Sequence, residues 1–273
     1  MFTEPFMQRA LLAAVLLAPL CALLGVFVTA RRLSFFSETI AHGALAGVGL
    51  GFWWGLVNPT ITVVAFSLGV AAAVLWLKEN TELLTDTILA VVLSGSVSIG
   101  IILLSLLQGY QGQIQRYLFG DILAIGPNEV AGSAVLFVVV GAGILTNLSP
   151  LALLTTSEDM AHVCGVPLRR LNYLFVLTLA IVVAMSIRLL GIILVTSLIV
   201  IPPAAARNVT RNFRQHVVLS LFVGLVGGLG GVMLAYRMDT PCGPTIVLTC
   251  VAMFLLSLGA GWWRSRRPTV APS

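Results

Sequence analysis

The sequence predicts an all-α fold: a polytopic integral membrane helical bundle of about nine transmembrane helices, with eight as the alternative count. Two observations lead to this prediction. Of the 273 residues, 59% are hydrophobic and only 9% are charged, whereas about 25% of the residues of a soluble globular chain are charged. The charged residues also stand between long apolar runs, which a soluble protein of this size could not hide from water. Lipid is therefore the expected solvent for most of the chain.

The apolar runs define the individual spans, because a bilayer core about 30 Å thick needs about 20 helical residues. The residues before the first run lack a convincing signal peptide, so this run is kept as a helix. As one helix, 171–206 would be about 54 Å long, and we divide it at Arg188 and Gly191. The third and seventh spans are short, which keeps the count of eight open. The nine predicted spans are 10–30, 39–57, 60–77, 86–107, 129–147, 171–188, 190–206, 216–236 and 243–263.

The positions of lysine and arginine predict the orientation. If the N-terminus lies outside and the C-terminus in the cytoplasm, eleven of the fifteen basic residues are cytoplasmic, as the positive-inside rule requires. The longest polar segments are then 108–128 outside and 148–170 inside, and no soluble domain is expected. Topology explains the net charge of +5, so no nucleic-acid partner is predicted. The four basic residues outside are Arg9, Arg116, Arg188 and Arg237.

No motif of a catalytic site occurs in the sequence. The phosphate loop GxxxxGK[ST] is absent, and so are HExxH and a convincing GxSxG elbow, so the chain does not hydrolyse nucleotide itself. The four cysteines form no CxxC pair, which argues against structural zinc and against a disulfide framework. We therefore predict a transporter or channel component, not an enzyme, with no permanently bound cofactor.

The second span begins with a carboxylate and an imidazole. Glu38 and His42 are four residues apart, hence on one helical face, and together they suit zinc or a similar divalent ion. The alternative is that Glu38 is a first-turn acid favoured by the helix dipole and that His42 packs in the bundle. An intramembrane histidine is costly enough to be a functional candidate. The same helix carries Gly43, Gly47 and Gly51, whose spacing favours close helix packing.

Two further segments carry features beyond a plain span. In the cytoplasmic segment 155–172, Ser157 can cap a short helix that Gly165 would end, and such an element favours docking of a partner. In the seventh span, Pro202 and Pro203 free backbone carbonyls and bend the helix. This pair can mark a moving or broken helix near a transport path.

Five blocks of the sequence together resemble a known family, the permease subunit of bacterial metal-ion ABC transporters, and within it the branch that imports zinc. The resemblance runs through nearly the whole chain, and the blocks stand in the family's order. They are RRLSFFSETIAHGALAGVGLG (31–51), RYLFGDILAI (116–125), SEDMAHVCGVPLRRL (157–171), GIILVTSLIVIPPAAAR (191–207) and DTPCGPTIVL (239–248).

The resemblance implies a single transmembrane permease domain over 1–273 in the bacterial inner membrane. It implies a homodimer served by a cytoplasmic ATPase dimer and by an extracytoplasmic zinc-binding protein, with Zn²⁺ as the transported substrate. Glu38 and His42 would line the path, although family members commonly have Asp where this chain has Glu38. The double proline is a second departure from the family's single one. A coupling segment at about 155–170 would contact the ATPase through Glu158, Asp159, Ala161, His162 and Gly165.

Other functions stay open at this point. Permeases that import manganese or iron share these motifs, and a carboxylate with a histidine binds those ions too. A secondary carrier driven by an ion gradient is the alternative from another class, although the inverted repeats common in such carriers are not evident. A membrane scaffold without transport activity is the remaining alternative.

Overall fold

A computed structural model describes residues 5–56, 58–107, 117–120, 125–156 and 167–265. Within these ranges the chain forms ten helices of nine residues or more and no strand. The helices are α1 (Pro5–Ala30), α2 (Ser34–Trp53), α3 (Thr60–Asn80), α4 (Thr85–Leu106), α5 (Pro127–Thr146), α6 (Leu148–Thr156), α7 (Leu168–Leu190), α8 (Ile192–Arg207), α9 (Phe213–Met238) and α10 (Cys242–Ser265).

Each predicted span corresponds to one helix, namely α1–α5 and α7–α10, which confirms the all-α bundle. Seven of the described helices are long and apolar enough to cross a membrane: α1, α3, α4, α5, α7, α9 and α10. The α8 helix is shorter, at 16 residues. The α2 helix has 20 residues but is not among the seven, because Glu38, His42 and four glycines lower its hydropathy.

The division of the long apolar stretch falls at Gly191, as predicted. The α7 helix ends at Leu190 and α8 begins at Ile192, while Gly191 has a φ of 82°, a backbone conformation that glycine adopts at little cost. Segment 117–120 lies against this break, since a Cβ added to Gly191 would come within 2.3 Å of the Gly120 nitrogen. No side chain fits between these two backbones.

The prediction of a polar segment over 148–170 is wrong for its first residues. Residues Leu148–Thr156 form the short helix α6, and Leu151 and Leu154 in it are buried, with only 4% and 5% of their surface exposed. Residues 148–154, LSPLALL, are mostly apolar, and the polar part of the segment begins only after them. The helix is a continuation of the bundle after a break at Asn147.

The α1 helix is central and contacts α5, α8 and α9. Its alanines at four-residue spacing meet the glycines of α9: a Cβ added to Gly224 would lie 2.8 Å from the Ala22 Cβ, and one added to Gly228 would lie 2.9 Å from the Ala18 Cβ. The Ser220 hydroxyl donates a hydrogen bond to the Ala22 carbonyl at 3.1 Å. Small residues on both helices thus let their backbones approach closely.

Residues predicted to share a membrane side meet in the structure. At one end Arg188 pairs with Glu129 at 2.9 Å, and Arg9 donates to the Ile125 carbonyl at 3.0 Å. At the other end, Arg31 and Arg169 are both predicted to be cytoplasmic. Arg31 bonds to Asn172 of α7, and Arg169 pairs with Glu79 of α3. The ends are therefore grouped consistently, while the choice of which end is cytoplasmic stays a prediction.

Candidate functional site

The start of α2 places its carboxylate further into the helix than expected. A turn of two arginines precedes it, with Arg32 in the left-handed region at a φ of 56°, and the helix begins at Ser34. Glu38 therefore lies in the second turn, so its interpretation as a first-turn acid is wrong. Because helix-dipole effects fall off within the first turn, the dipole does not account for a carboxylate at this position.

One strip of α2 is left uncovered in the part of the chain that the structure describes. Fourteen of the twenty residues of this helix are buried, yet Glu38 is exposed and His42 is half-buried. Phe35, one turn before Glu38, is 37% exposed. These residues follow the i, i+3, i+7 spacing of a single helical face, and we call Phe35, Glu38 and His42 the open strip.

The open strip offers two metal ligands but not a complete site. Glu38 and His42 are about 6 Å apart along the helix axis, and a carboxylate oxygen and an imidazole nitrogen are both zinc ligands. No group of three or more metal-binding side chains occurs in the described part of the chain. A tetrahedral site needs four ligands, so a single copy supplies about half of one.

The glycines of α2 pack against two different helices. A Cβ added to Gly47 would lie 2.8 Å from the Val63 Cα, and one added to Gly51 would lie 2.4 Å from the Pro59 Cβ. Both contacts are to the beginning of α3 and leave no room for a side chain. We call this contact the α2–α3 seam.

The opposite side of α2 meets α4 in a second glycine contact, the α2–α4 seam. A Cβ added to Gly100 of α4 would lie 2.8 Å from the Ala46 nitrogen, and one added to Gly49 would lie 2.9 Å from the Leu103 Cβ. Gly43 is less constrained, because its added Cβ would be at least 3.4 Å from Ser96. The two seams hold α2 between α3 and α4.

The double proline lies inside α8 without interrupting it. Helix α8 runs unbroken from Ile192 to Arg207, so the prolines do not break it, and both are buried. Their role in bending or moving the helix stays a prediction. Proline 203 has no N–H to donate to the Ile199 carbonyl. That carbonyl instead faces Gly25 of α1, where an added Cβ would be only 1.9 Å from its oxygen. The Pro203 carbonyl accepts a hydrogen bond from His216 Nε2 at 3.0 Å.

The turn before α2 contacts the beginning of α7. The Arg31 guanidinium donates a hydrogen bond to Asn172 Oδ1 and lies over the Phe175 ring, 5.4 Å from its centroid. Phe27 packs against the same ring at a centroid distance of 6.0 Å. We call Arg31, Asn172 and Phe175 the α7 clamp.

The α7 helix begins at Leu168, within the last residues of the predicted coupling segment. Residues 157–166 of that segment lie outside the described residues, and they include Glu158, Asp159, Ala161, His162 and Gly165. The described chain ends before them with α6 and resumes at Pro167. The α7 clamp therefore connects the residues that follow the segment to the residues that precede the open strip.

Several of these positions were missed by the sequence reasoning. Ser96 and Gly100 are four apart, a small-residue spacing that could have indicated the α2–α4 seam. For Gly25 and Asn172 no local signal exists, because their partners are more than a hundred residues away along the chain.

Comparison with known proteins assigns the chain to a family. The family model described as the ABC 3 transport family matches residues 3–260. The high-affinity zinc uptake system membrane protein ZnuB of Haemophilus influenzae is 33% identical over 91% of this chain and 95% of its own length. The chelated iron transport system membrane protein YfeD of Yersinia pestis is 30% identical over 94% and 86%.

A solved structure has the same fold. PsaBC from Streptococcus pneumoniae, in complex with Fab, matches with a TM-score of 0.83 at 26% sequence identity. The match covers 93% of this chain and 91% of that chain. The arrangement of helices described above is thus one that an experimentally solved protein also adopts.

Proposed function

The chain belongs to the ABC 3 transport family, and on that premise we propose that it is the permease subunit of an ATP-driven, high-affinity zinc importer. It is a multi-pass membrane protein and a component of a metal ABC transporter, not an enzyme. In the proposed importer, an extracytoplasmic binding protein delivers Zn²⁺, and this chain passes the ion through the bacterial inner membrane. A separate ATPase dimer supplies the energy.

The open strip is the observation that carries this proposal. A carboxylate and an imidazole are expensive inside a membrane unless they serve a function, and here they occupy the uncovered face of a helix that is otherwise buried. Glu38 and His42 would be exposed to lipid if nothing covered them. A polar path, or a second copy that encloses one, removes this cost.

A second copy of the chain would complete the site. Homodimers have two-fold symmetry, which would bring two pairs of Glu38 and His42 to a common axis, and four ligands suffice for a tetrahedral zinc site. Binding at such a site must be weak enough for the ion to leave. Glu38 reaches one methylene further than the Asp that the family resemblance leads us to expect here, and the dimer must accommodate that extra length.

The α7 clamp gives the ATPase a route to the open strip. Movement of the coupling segment would displace the start of α7, where Asn172 holds Arg31. Arg31 belongs to the turn that leads into α2, so α2 would move with α7. Because of the seams, α3 and α4 would move together with α2 as a rigid group. This movement would change the path from outward to inward access.

Zinc uptake by cells tests the proposal. We expect Glu38→Ala and His42→Ala each to reduce uptake by about tenfold or more, since removing even a partner of a metal ligand costs about 10–100-fold in affinity. Uptake is measured with radioactive zinc in bacteria that lack their own importer and express the ATPase and binding protein with this chain.

Ser37→Ala is the matched control, because Ser37 is buried next to Glu38 and lies off the open strip. Equal amounts of each variant in the membrane show that folding is unchanged. Normal uptake by both Glu38→Ala and His42→Ala would remove these residues from the path.

The nature of the metal is tested separately, because a relative of similar identity transports chelated iron. The complete transporter in proteoliposomes is given zinc, manganese or iron, with and without ATP. Preferred uptake of zinc supports the proposal, and preferred uptake of manganese or iron supports the alternative importer. Uptake that follows an ion gradient without ATP would indicate a secondary carrier.

The proposed orientation is tested by labelling. Single cysteines introduced as Tyr110→Cys and Met160→Cys should react from opposite sides of the membrane, the first from outside. Reaction of both from one side would overturn the N-outside, C-inside topology.

A further inference from the structure

An apolar groove lies between α5 and α7. Its volume is about 400 Å³. Leu136, Val139 and Gly143 of α5 form one wall, and Leu171, Leu174 and Thr178 of α7 form part of the other. The two helices make few contacts with each other, and the groove is open to its surroundings. We call it the α5–α7 groove.

The length of the α5–α7 groove matches one leaflet of a bilayer. Its lining on α7 runs from Leu171 to Ile181, and at 1.5 Å per residue this is about 15 Å. Half of a hydrocarbon core of about 30 Å has the same length. The groove therefore extends from the end of α7 to about the middle of the membrane, as a lipid acyl chain does.

Positive charge lies where the groove meets the beginning of α7, the end that is predicted to be cytoplasmic. Arg170 is exposed and stands one turn before Leu174, hence on the same face of α7. The neighbouring Arg169 is already engaged by Glu79, with its Nη2 2.5 Å from a carboxylate oxygen. Within the described part of the chain, no carboxylate pairs with Arg170.

We propose that the α5–α7 groove is a binding site for a phospholipid with an anionic headgroup. One acyl chain fills the groove between Gly143 and Leu174, and the headgroup phosphate accepts hydrogen bonds from the Arg170 guanidinium. Basic residues at the end of a transmembrane helix attract anionic lipids, and guanidinium groups bind phosphate in a two-pronged geometry. The bound lipid would replace the missing contact between α5 and α7.

Native mass spectrometry of the full chain tests this proposal. The protein is reconstituted into nanodiscs of equal parts phosphatidylglycerol and phosphatidylcholine and released into the spectrometer under mild conditions. We expect the wild-type protein to retain phosphatidylglycerol in preference to phosphatidylcholine. Arg170→Gln should lower this preference by about fivefold, the effect of one arginine at an anionic surface.

Gly143→Leu is designed to fill the groove without disturbing the helices. A Cβ at position 143 meets nothing within 4 Å, so the leucine side chain extends into the open space and should expel both lipids. Gly95→Leu is the matched control, because Gly95 also has open space around it and lies on α4, outside the groove. It should retain lipid as the wild-type protein does.

Three results would overturn the proposal. Retention without headgroup preference in the wild-type protein would contradict an anionic ligand. Equal retention by Gly143→Leu and the wild-type protein would show that the lipid binds elsewhere. Loss of the dimer in Gly143→Leu, with lipid unaffected, would show that a second copy of the chain occupies the groove. None of these readouts depends on zinc transport, so the proposal stands or falls separately from the proposed function.

Discussion

The α2 and α5 helices have the same length and opposite surroundings. Each has twenty residues, but fourteen are buried in α2 and five in α5. The buried helix is the more polar one, with Glu38 and His42, whereas α5 is apolar enough to cross a membrane by itself. In lipid, apolar side chains have no reason to turn inward, so hydropathy and burial are uncoupled.

The glycines of the two helices differ in the same way. Those of α2 form the α2–α3 and α2–α4 seams, whereas a Cβ added to Gly132, Gly141 or Gly143 of α5 would meet nothing within 4 Å. A small residue therefore indicates close packing only where a partner helix is present. The seams make a rigid support for the open strip, and the α5 side leaves space for lipid.

The largest effect is expected from one substitution made on each side of this comparison. Gly100→Leu forces a side chain into the backbone of α2 and should destabilise the protein by about 3 kcal/mol or more. Gly143→Leu enters open space and should change stability by about 0.5 kcal/mol at most. Thermal unfolding in detergent measures both. Similar stability of the two variants would mean that the seam is not tight.

The next largest effect is expected in α7, which contacts the turn before α2 through the α7 clamp and also lines the α5–α7 groove. Asn172→Ala removes the hydrogen-bond acceptor of Arg31 in the α7 clamp and should cost about 1.5–3 kcal/mol, as is typical of hydrogen bonds to charged groups. It should also reduce ATP-driven transport more than ATPase activity.

Leu174→Ala is the control for this prediction, because Leu174 is two residues away, is 63% exposed and faces the groove. Its stability should be close to that of the wild-type protein. If Asn172→Ala has no larger effect than Leu174→Ala on either stability or coupling, the clamp does not link the helices.

A smaller effect distinguishes positions within the predicted stripe of α2. Gly47→Ala places a Cβ 2.8 Å from the Val63 Cα and should cost about 1–3 kcal/mol. Gly43→Ala makes only ordinary contacts, the nearest at 3.4 Å, and should be tolerated. Unfolding midpoints of the two variants check this order, and equal losses would restore a uniform stripe.

The smallest effect is expected at the surface pair that joins α3 to α7. Arg169 donates two hydrogen bonds to Glu79, but both groups are solvent-exposed, and exposed ion pairs contribute less than about 1 kcal/mol. Arg169→Gln should therefore lower the unfolding temperature only slightly and should lose even that effect at high salt. A large, salt-independent loss would show that this pair is part of the rigid region.

The helices themselves could be predicted from sequence because their signals are local. Runs of apolar residues, the break at Gly191 and the polar pair of α2 are all visible within about twenty residues. The glycine stripe was predicted only in part. Residues four apart advance by 400° on a helix of 3.6 residues per turn, so the face rotates from Gly43 to Gly51. Gly47 and Gly51 meet α3 closely, whereas the nearest neighbour of Gly43 is Ser96 of α4.

Contacts between distant helices could not be predicted. The Ile199 carbonyl meets Gly25, and Arg31 meets Asn172. These residues come together through the arrangement of the helices in space, which no local sequence pattern indicates. The open strip could be proposed from the types of residue at Glu38 and His42. That this strip is the uncovered one could be learned only from the packing of α3 and α4 around α2.

The modest hydropathy of α2 has a consequence for how the protein is made. A translocon releases a segment into lipid according to its own hydrophobicity, and α2 alone does not reach the level of its neighbours. It should therefore leave the translocon only together with α1 or α3, as a helical hairpin. Glu38 and His42, the candidate metal ligands, would then also influence the order in which the helices enter the membrane.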